Sequence, residues 1–257
     1  MKIATFNINN VNRRLPNLLA WLAEAKPDVA CLQELKAESG DFPEAALRDA
    51  GYRSVWRGER SWNGVAILAR GVEPVLTRTE LPGDAGDGQA RYVEAAVRGV
   101  IVASLYLPNG NPQPGPKFTY KLRWFERLIA HAATLREAGV PVVLAGDYNV
   151  VPTPADMYPS RSSFATNALV QPESRAAFRR LLDQGWTDAL RHRHPTGPVY
   201  TFWDYMRGAW DKDRGLRLDH LLLSPDLVER LADAGVDRHV RAAEDASDHA
   251  PAWIRLR

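Results

Sequence analysis

The chain has almost nothing besides a packed core to hold it together. Of its 257 residues only Cys31 is a cysteine, which excludes an internal disulfide; it lies inside a buried-looking apolar run. No apolar stretch is long enough to cross a bilayer. Residues Met1 to Asn7 enter a strand pattern directly, without the longer apolar region and small-residue cleavage site of a signal peptide. A cytoplasmic protein that does not engage membranes is the expectation. Charge of one sign is scarce too. The formal net charge is +2, so a global positive field cannot attract nucleic acid, and any such surface must be a local basic patch. Tandem repeats, low-complexity tracts and linker-like segments are absent. One domain spanning residues 1–257 is expected, and without a sustained amphipathic heptad run, a monomer.

Hydrophobic residues make up 45% of the chain and charged residues 25%, ordinary values for a globular domain. Leu15, Leu18, Leu19 and Leu22 recur at helical spacing, and Pro27 closes that segment. Short strand-like runs follow at 52–56, 65–69, 75–79, 92–97 and 100–106. The pattern predicts a long helix over 117–137, with Phe118, Leu122, Phe125, Ile129 and Ala132 as its apolar positions. A strand at 142–145 comes next. Residues 151–172, rich in Pro, Ser, Thr and Asn, read as a long surface loop. Helices are predicted over 173–184 and 225–232. Strand-rich halves, each with helices, indicate an α/β fold in four layers: two mixed β-sheets packed face to face, flanked by helices.

Polar groups stand where the strand-like runs end. Asn7 follows Lys2 to Phe6, and Glu34 follows Asp28 to Gln33. Asp147 and Asn149 follow Pro141 to Gly146, where Gly146 is expected to let the chain turn. Asp219 heads the run to Ser224; Asp248 and His249 precede the last run, Pro251 to Leu256. Strand ends in layered α/β folds bring distant polar groups together. Oxygen ligands plus one histidine suit a hard divalent cation and phosphoester hydrolysis. Taken singly, each group also reads as a solvated acid, an Asp/Asn turn or a satisfied histidine. Asp219 is the candidate partner that would fix the His249 tautomer. Trp203 and Tyr205 read as a small satellite core under a loop, and Arg191-His192-Arg193-His194 as a solvated basic turn.

The ordered set Phe6-Asn7, Leu32-Gln33-Glu34-Leu35-Lys36, Tyr106-Leu107-Pro108-Asn109-Gly110, Gly146-Asp147-Tyr148-Asn149, Arg217-Leu218-Asp219 and Ser247-Asp248-His249 resembles the exonuclease III family of apurinic/apyrimidinic (AP) endonucleases, within the endonuclease/exonuclease/phosphatase superfamily. The resemblance runs from Lys2 to Leu256. It implies a metal-dependent DNA-repair nuclease acting on duplex DNA with abasic sites or blocked 3′ ends. It also implies Mg²⁺, or Mn²⁺, held by Asn7, Glu34 and Asp248, with a possible second site at Asp147 and Asn149. Asp147 would activate water with Asn149 beside it. Tyr106 and Asn109 would touch the phosphate. Asp219 would support His249, and His249 would bind a phosphate oxygen. Phe202, Leu216 and Leu218 would form an apolar pocket for a base-free sugar, and Lys36 and Arg217 would add substrate contacts. Asn9 stands where some members carry a metal-associated aspartate, and Asn10-Val11-Asn12-Arg13 differs from the Gly-Leu-Arg often found there. Two other readings remain: the same fold acting on a small-molecule or lipid phosphoester, and a catalytically silent DNA-binding module.

Overall fold

The structure is a computed structural model that describes residues 1–159 and 166–257. In chain order the strands are β1 (Lys2–Asn7), β2 (Val29–Gln33), β3 (Tyr52–Arg57), β4 (Val65–Arg70), β5 (Val75–Arg78), β6 (Tyr92–Val97), β7 (Val100–Tyr106), β8 (Val142–Asp147), β9 (Thr187–Asp188), β10 (Asp219–Leu223), β11 (Leu231–Val236) and β12 (Ala252–Leu256). The helices are α1 (Leu15–Ala25), α2 (Glu44–Asp49), α3 (Pro116–Glu137), α4 (Pro172–Asp183), α5 (Ala189–Arg193) and α6 (Pro225–Val228).

Two six-stranded sheets form, in the orders β11-β12-β1-β2-β4-β3 and β5-β6-β7-β8-β10-β9. Each holds one parallel pair, β1 with β2 and β7 with β8. Parallel neighbours need a crossover, and α1 and α3 supply them. Side chains alternate across each strand. Ile3, Val29, Cys31, Ile67, Val102, Val143 and Leu221 point between the sheets. Ala4, Phe6, Ala30 and Leu32 point outward, under Leu18, Trp21 and Leu22 of α1. Leu105, Leu144 and Leu222 lie under Trp124, Phe125 and Leu128 of α3 and Phe178 and Leu181 of α4. Each fully buried large apolar side chain contributes about 1.5–3 kcal/mol. The four-layered arrangement expected from the sequence is therefore present.

Local chemistry explains the boundaries. Pro16 opens α1, Lys26 at φ 45° ends it, and Pro27 prevents its continuation. The expected helix at 225–232 is only the short α6, because Leu231 already pairs with Leu256 in β11. Within the expected loop at 151–172, residues 160–165 lie outside the described residues. The described flanks are not a bare surface loop: Pro154–Asp156 and Ala168–Val170 form 3₁₀ turns, and Val151, Asp156, Ala168 and Leu169 are buried. The buried stripe of α3 is Lys121, Trp124, Phe125, Leu128, Ile129, Ala132 and Leu135; Phe118 and Leu122 lie on its flank.

Gly146 does not turn the chain. It is a regular member of β8, opposite Leu105 on one side and His220 on the other. Its glycine identity serves close approach instead, since a Cβ there would stand 2.0 Å from the Leu105 carbonyl oxygen. Gly146→Ala is therefore expected to cost about 2–3 kcal/mol in urea unfolding. Gly40→Ala, where a Cβ meets nothing within 4 Å, should stay within about 0.5 kcal/mol of the parent. Equal midpoints for the two variants would contradict this packing argument.

Candidate active site

Strand direction and register gather the polar groups at one end of the space between the sheets. Asn7 ends β1 and Glu34 follows the parallel β2. Tyr106 and Asp147 sit opposite each other at the ends of β7 and β8, and Asp219 starts antiparallel β10 opposite Asp147. His249 lies just before β12, antiparallel to β1. The first sheet's β1 faces β8 and β10 of the second. Groups far apart in sequence therefore meet across the two sheets.

Asp147 is the centre. It is 1% exposed. Asn7 Nδ2 donates to its Oδ2 at 3.0 Å, the Asn149 backbone N–H to its Oδ1 at 2.8 Å, and Asn149 Nδ2 to its Oδ2 at 3.3 Å. Asn149 meets Asp147 through a tight turn at φ 47°. His249 Nε2 stands 3.8 Å from Asp147 Oδ2, and His249 Nδ1 is 2.7 Å from Asp219 Oδ2. Thr201 Oγ1 accepts the backbone N–H groups of Leu218 and Asp219 and so fixes that carboxylate. Ser247 Oγ donates to the Asn7 carbonyl and accepts the His249 N–H, tying the 247–249 segment to β1.

Burial opposes the imidazolium of His249, but Asp219, aided by Asp147 and Asp248, overrides it and raises the group to about 10. Burial dominates at Asp147 and pushes its carboxyl upward, against the attraction of His249 and with the repulsion of Asp219. Glu34 is held below the usual carboxylate range: burial is outweighed by the Lys36 ammonium and the Asn7 amide. Burial, then Glu34 and Asp147, raise the Tyr106 phenol well above its ordinary value, so it is a neutral donor.

The metal-side residues form a second cluster. Glu34 accepts from Asn7 Nδ2 at 2.9 Å and from Lys36 Nζ at 2.9 Å. Lys36 also donates to Asn9 Oδ1 at 2.6 Å, and Asn9 Nδ2 donates to Asp248 Oδ1 at 3.0 Å. Asn9, Asn10, Glu34, Lys36 and Asn149 all have positive φ, costly for Glu and Lys, which marks this corner as over-determined by its surroundings. Among the described residues no three His, Cys, Asp or Glu side chains gather as metal ligands. Two carboxylates with neighbouring amides and water still suit a hard cation. Asn7 donates its nitrogen to Glu34 and Asp147 and accepts the Asn9 N–H on its oxygen at 3.2 Å, which ties the acids together and leaves that oxygen a second lone pair.

A cavity of about 810 Å³ opens beside these groups, walled in part by Asn109, Leu169, Phe202, Arg207, Arg214 and Leu216. Phe202 packs edge-on against His249, with ring centroids 5.0 Å apart. Asn109 Nδ2 reaches Asn149 Oδ1 at 3.0 Å, linking cavity and acids. Leu218 lies behind the wall, in the apolar cluster with Val151 and Leu169.

Three expectations need correction. Arg217 is not at the cavity. It is 1% exposed, and its guanidinium binds Asp156 at 2.7 Å and Asp188 at 2.6 Å, which holds it in the interior while Leu216 lines the cavity. Arg191 joins this network through Asp156 rather than lying in a solvated turn. Tyr205 is not core: it is half-exposed, donates to the Ala246 carbonyl and accepts from Arg14 Nη2. Trp203, by contrast, is fully buried against Trp210 and Tyr200. Sequence reasoning missed Thr201 and Ser247 as organisers. Their only signal is a hydroxyl residue beside a site residue or inside an otherwise apolar segment.

In the metal-free protein, NMR should show the His249 imidazole titrating near 10. Asp219→Asn removes the anion and leaves burial unopposed by its strongest partner, so the same ring should titrate at or below about 6.5. A parent His249 titrating near 6.5 would contradict the couple.

Residues 4–249 match the model of the endonuclease/exonuclease/phosphatase family. The chain is 32% identical to exodeoxyribonuclease III of Haemophilus influenzae over 268 aligned residues, which cover 100% of both. A solved 3′ phosphatase from Neisseria, bound to a product DNA hairpin, is 39% identical with a TM-score of 0.95, covering 100% of this chain and 99% of that one. An AP endonuclease from Archaeoglobus fulgidus is 36% identical with a TM-score of 0.94, at 100% and 99% coverage. Among the described residues no helix is long and apolar enough to cross a membrane. With residues 4–249 matched by the family model and 32–39% identity to these relatives over its full length, the chain belongs to the endonuclease/exonuclease/phosphatase family.

Proposed function

We propose that this chain is a monomeric, cytoplasmic DNA-repair nuclease that hydrolyses the phosphodiester 5′ to an abasic site in duplex DNA. The same centre acts on blocked 3′ ends, as a 3′-5′ exonuclease and a 3′-phosphatase. The observation that carries this reading is a buried carboxylate, Asp147, facing the Asp219-bound imidazole of His249 beside a cavity walled in part by Phe202 and Leu216.

Asp147 takes or orients a proton of the attacking water, and its raised affinity for protons suits a general base near neutral pH. The water oxygen bonds to phosphorus in line as the bond to the 3′ oxygen breaks, and that oxygen takes up a proton from solvent, leaving a 3′-hydroxyl and a 5′-deoxyribose phosphate. His249, kept cationic by Asp219, binds a non-bridging phosphate oxygen, with Tyr106, Asn109 and Asn149 as neutral donors. Glu34 and Asp248 would hold a divalent cation, Mg²⁺ or alternatively Mn²⁺, which would supply charge neutralisation for the reaction. The apolar cavity wall of Leu169, Phe202 and Leu216 suits a deoxyribose without its base, and extrusion costs least where the base is missing. Arg207 and Arg214 on the same cavity suit flanking phosphates, which favours DNA over a small or lipid phosphoester.

On an end-labelled duplex with one abasic site, metal-dependent nicking is expected, abolished by chelator. Asp147→Asn should lower kcat by about 10²–10⁴-fold with duplex affinity largely retained. Nicking that survives chelation, or an unaffected Asp147→Asn variant, would overturn the mechanism; abasic DNA bound but never cut would leave a silent binding module.

A further inference from the structure

Helix α3 is the crossover between β7 and β8, and it returns one side chain to the ends of both strands it connects. Lys121 lies on the buried stripe of α3 and is 0% exposed. Among the described residues it forms no ion pair. Its ammonium donates instead to two main-chain carbonyls, Asn109 at 3.2 Å and Asn149. An ammonium buried against neutral acceptors is a poor way to stabilise a fold, since an apolar side chain of similar size is usually as good or better.

The surroundings are shaped to that side chain. Gly110 has φ +89°, and a Cβ there would stand 2.7 Å from Lys121 Cδ and 3.0 Å from Ala168 Cβ. The backbone after Asn109 therefore lies directly on the lysine stem, and only glycine fits. On the far side of the clamped carbonyls, the two asparagine side chains are locked to each other at 3.0 Å, and Asn149 Nδ2 also holds the Leu107 carbonyl at 2.9 Å. The loops after β7 and β8 are thus pinned from behind by one lysine nitrogen and joined in front by their amides.

The geometry points to Lys121 as a positioning residue: from behind the site it sets the spacing of Asn109 and Asn149, and through Asn149 the orientation of Asp147. This deepens the nuclease reading and rests on it for the role of those amides. Lys121 touches no reacting atom; it acts through the two loops.

Lys121→Met keeps length and removes the donors, whereas Lys121→Arg keeps donors that can reach both carbonyls. Three readouts are taken: thermal unfolding, hydrogen–deuterium exchange of segments 107–111 and 148–151, and nicking kinetics. Lys121→Met is expected to unfold no earlier than the parent, to exchange both segments faster, and to lose about 100-fold in kcat with little change in duplex affinity measured in chelator. Lys121→Arg should recover much of the exchange protection and of kcat. Gly110→Ala, which strikes the clamp from the other side and also strains the backbone, should unfold earlier but reproduce the faster exchange and the loss of kcat, and decides the matter if the Met variant does not fold. Unchanged exchange, or faster exchange with unchanged kcat, would overturn the proposal. A parent enzyme that cuts no DNA would sink the nuclease reading instead, while the exchange measurement would still decide whether the clamp exists.

Discussion

A carboxylate held out of water between two sheets is the constraint on which this structure depends. Asp147 is surrounded by amide donors and faces the His249 imidazole, while a second acid, Asp219, stands behind that ring. Two buried acids near each other would drive one another neutral; the imidazolium between them lets the arrangement stay polar. A phosphate entering beside His249 would find a cation already in place and a proton acceptor next to it.

Delivering that arrangement requires both sheets. β1 brings Asn7, β8 brings Asp147, β10 brings Asp219, and the approach to β12 brings His249. The parallel pair β7 and β8 must lie close enough for Tyr106 and Asp147 to share one row, and Gly146 permits that approach. Behind β10, Arg217 and its partners Asp156 and Asp188 hold the segment that carries Leu216, Leu218 and Asp219, so a fully buried ion network stands directly behind the substrate wall. The hydroxyls of Thr201 and Ser247 finish the positioning from loops.

Much of this was legible in the sequence, for a definite reason. A polar residue ending an apolar run is conspicuous, and β-strand ends are where such residues converge. Asn7, Glu34, Asp147, Asp219 and His249 could therefore be singled out, with Tyr106 added by the resemblance, and they do come together. The direction a side chain takes was harder to read in segments without regular structure. The resemblance implied a substrate contact for Arg217, yet it is buried against Asp156 and Asp188. Its partners Asp156 and Asp188 lie in segments with no periodicity to mark them. Lys121 was overlooked because lysine reads as surface, although its spacing to Trp124, Phe125 and Leu128 places it on the buried stripe of α3. The short α6 was overestimated because the pairing of β11 with β12, a tertiary contact, stops it.

The central claim is that one phosphate is gripped between residues from both sheets, with the cation on the Glu34 side. Anomalous diffraction from crystals grown with Mn²⁺ and nicked abasic duplex tests it most directly. The account predicts an Mn²⁺ peak within coordination distance of Glu34 and a phosphate oxygen within hydrogen-bond distance of His249 Nε2, with the base-free sugar against Phe202 and Leu216. A manganese peak remote from Glu34, or a phosphate bound away from His249, would contradict it.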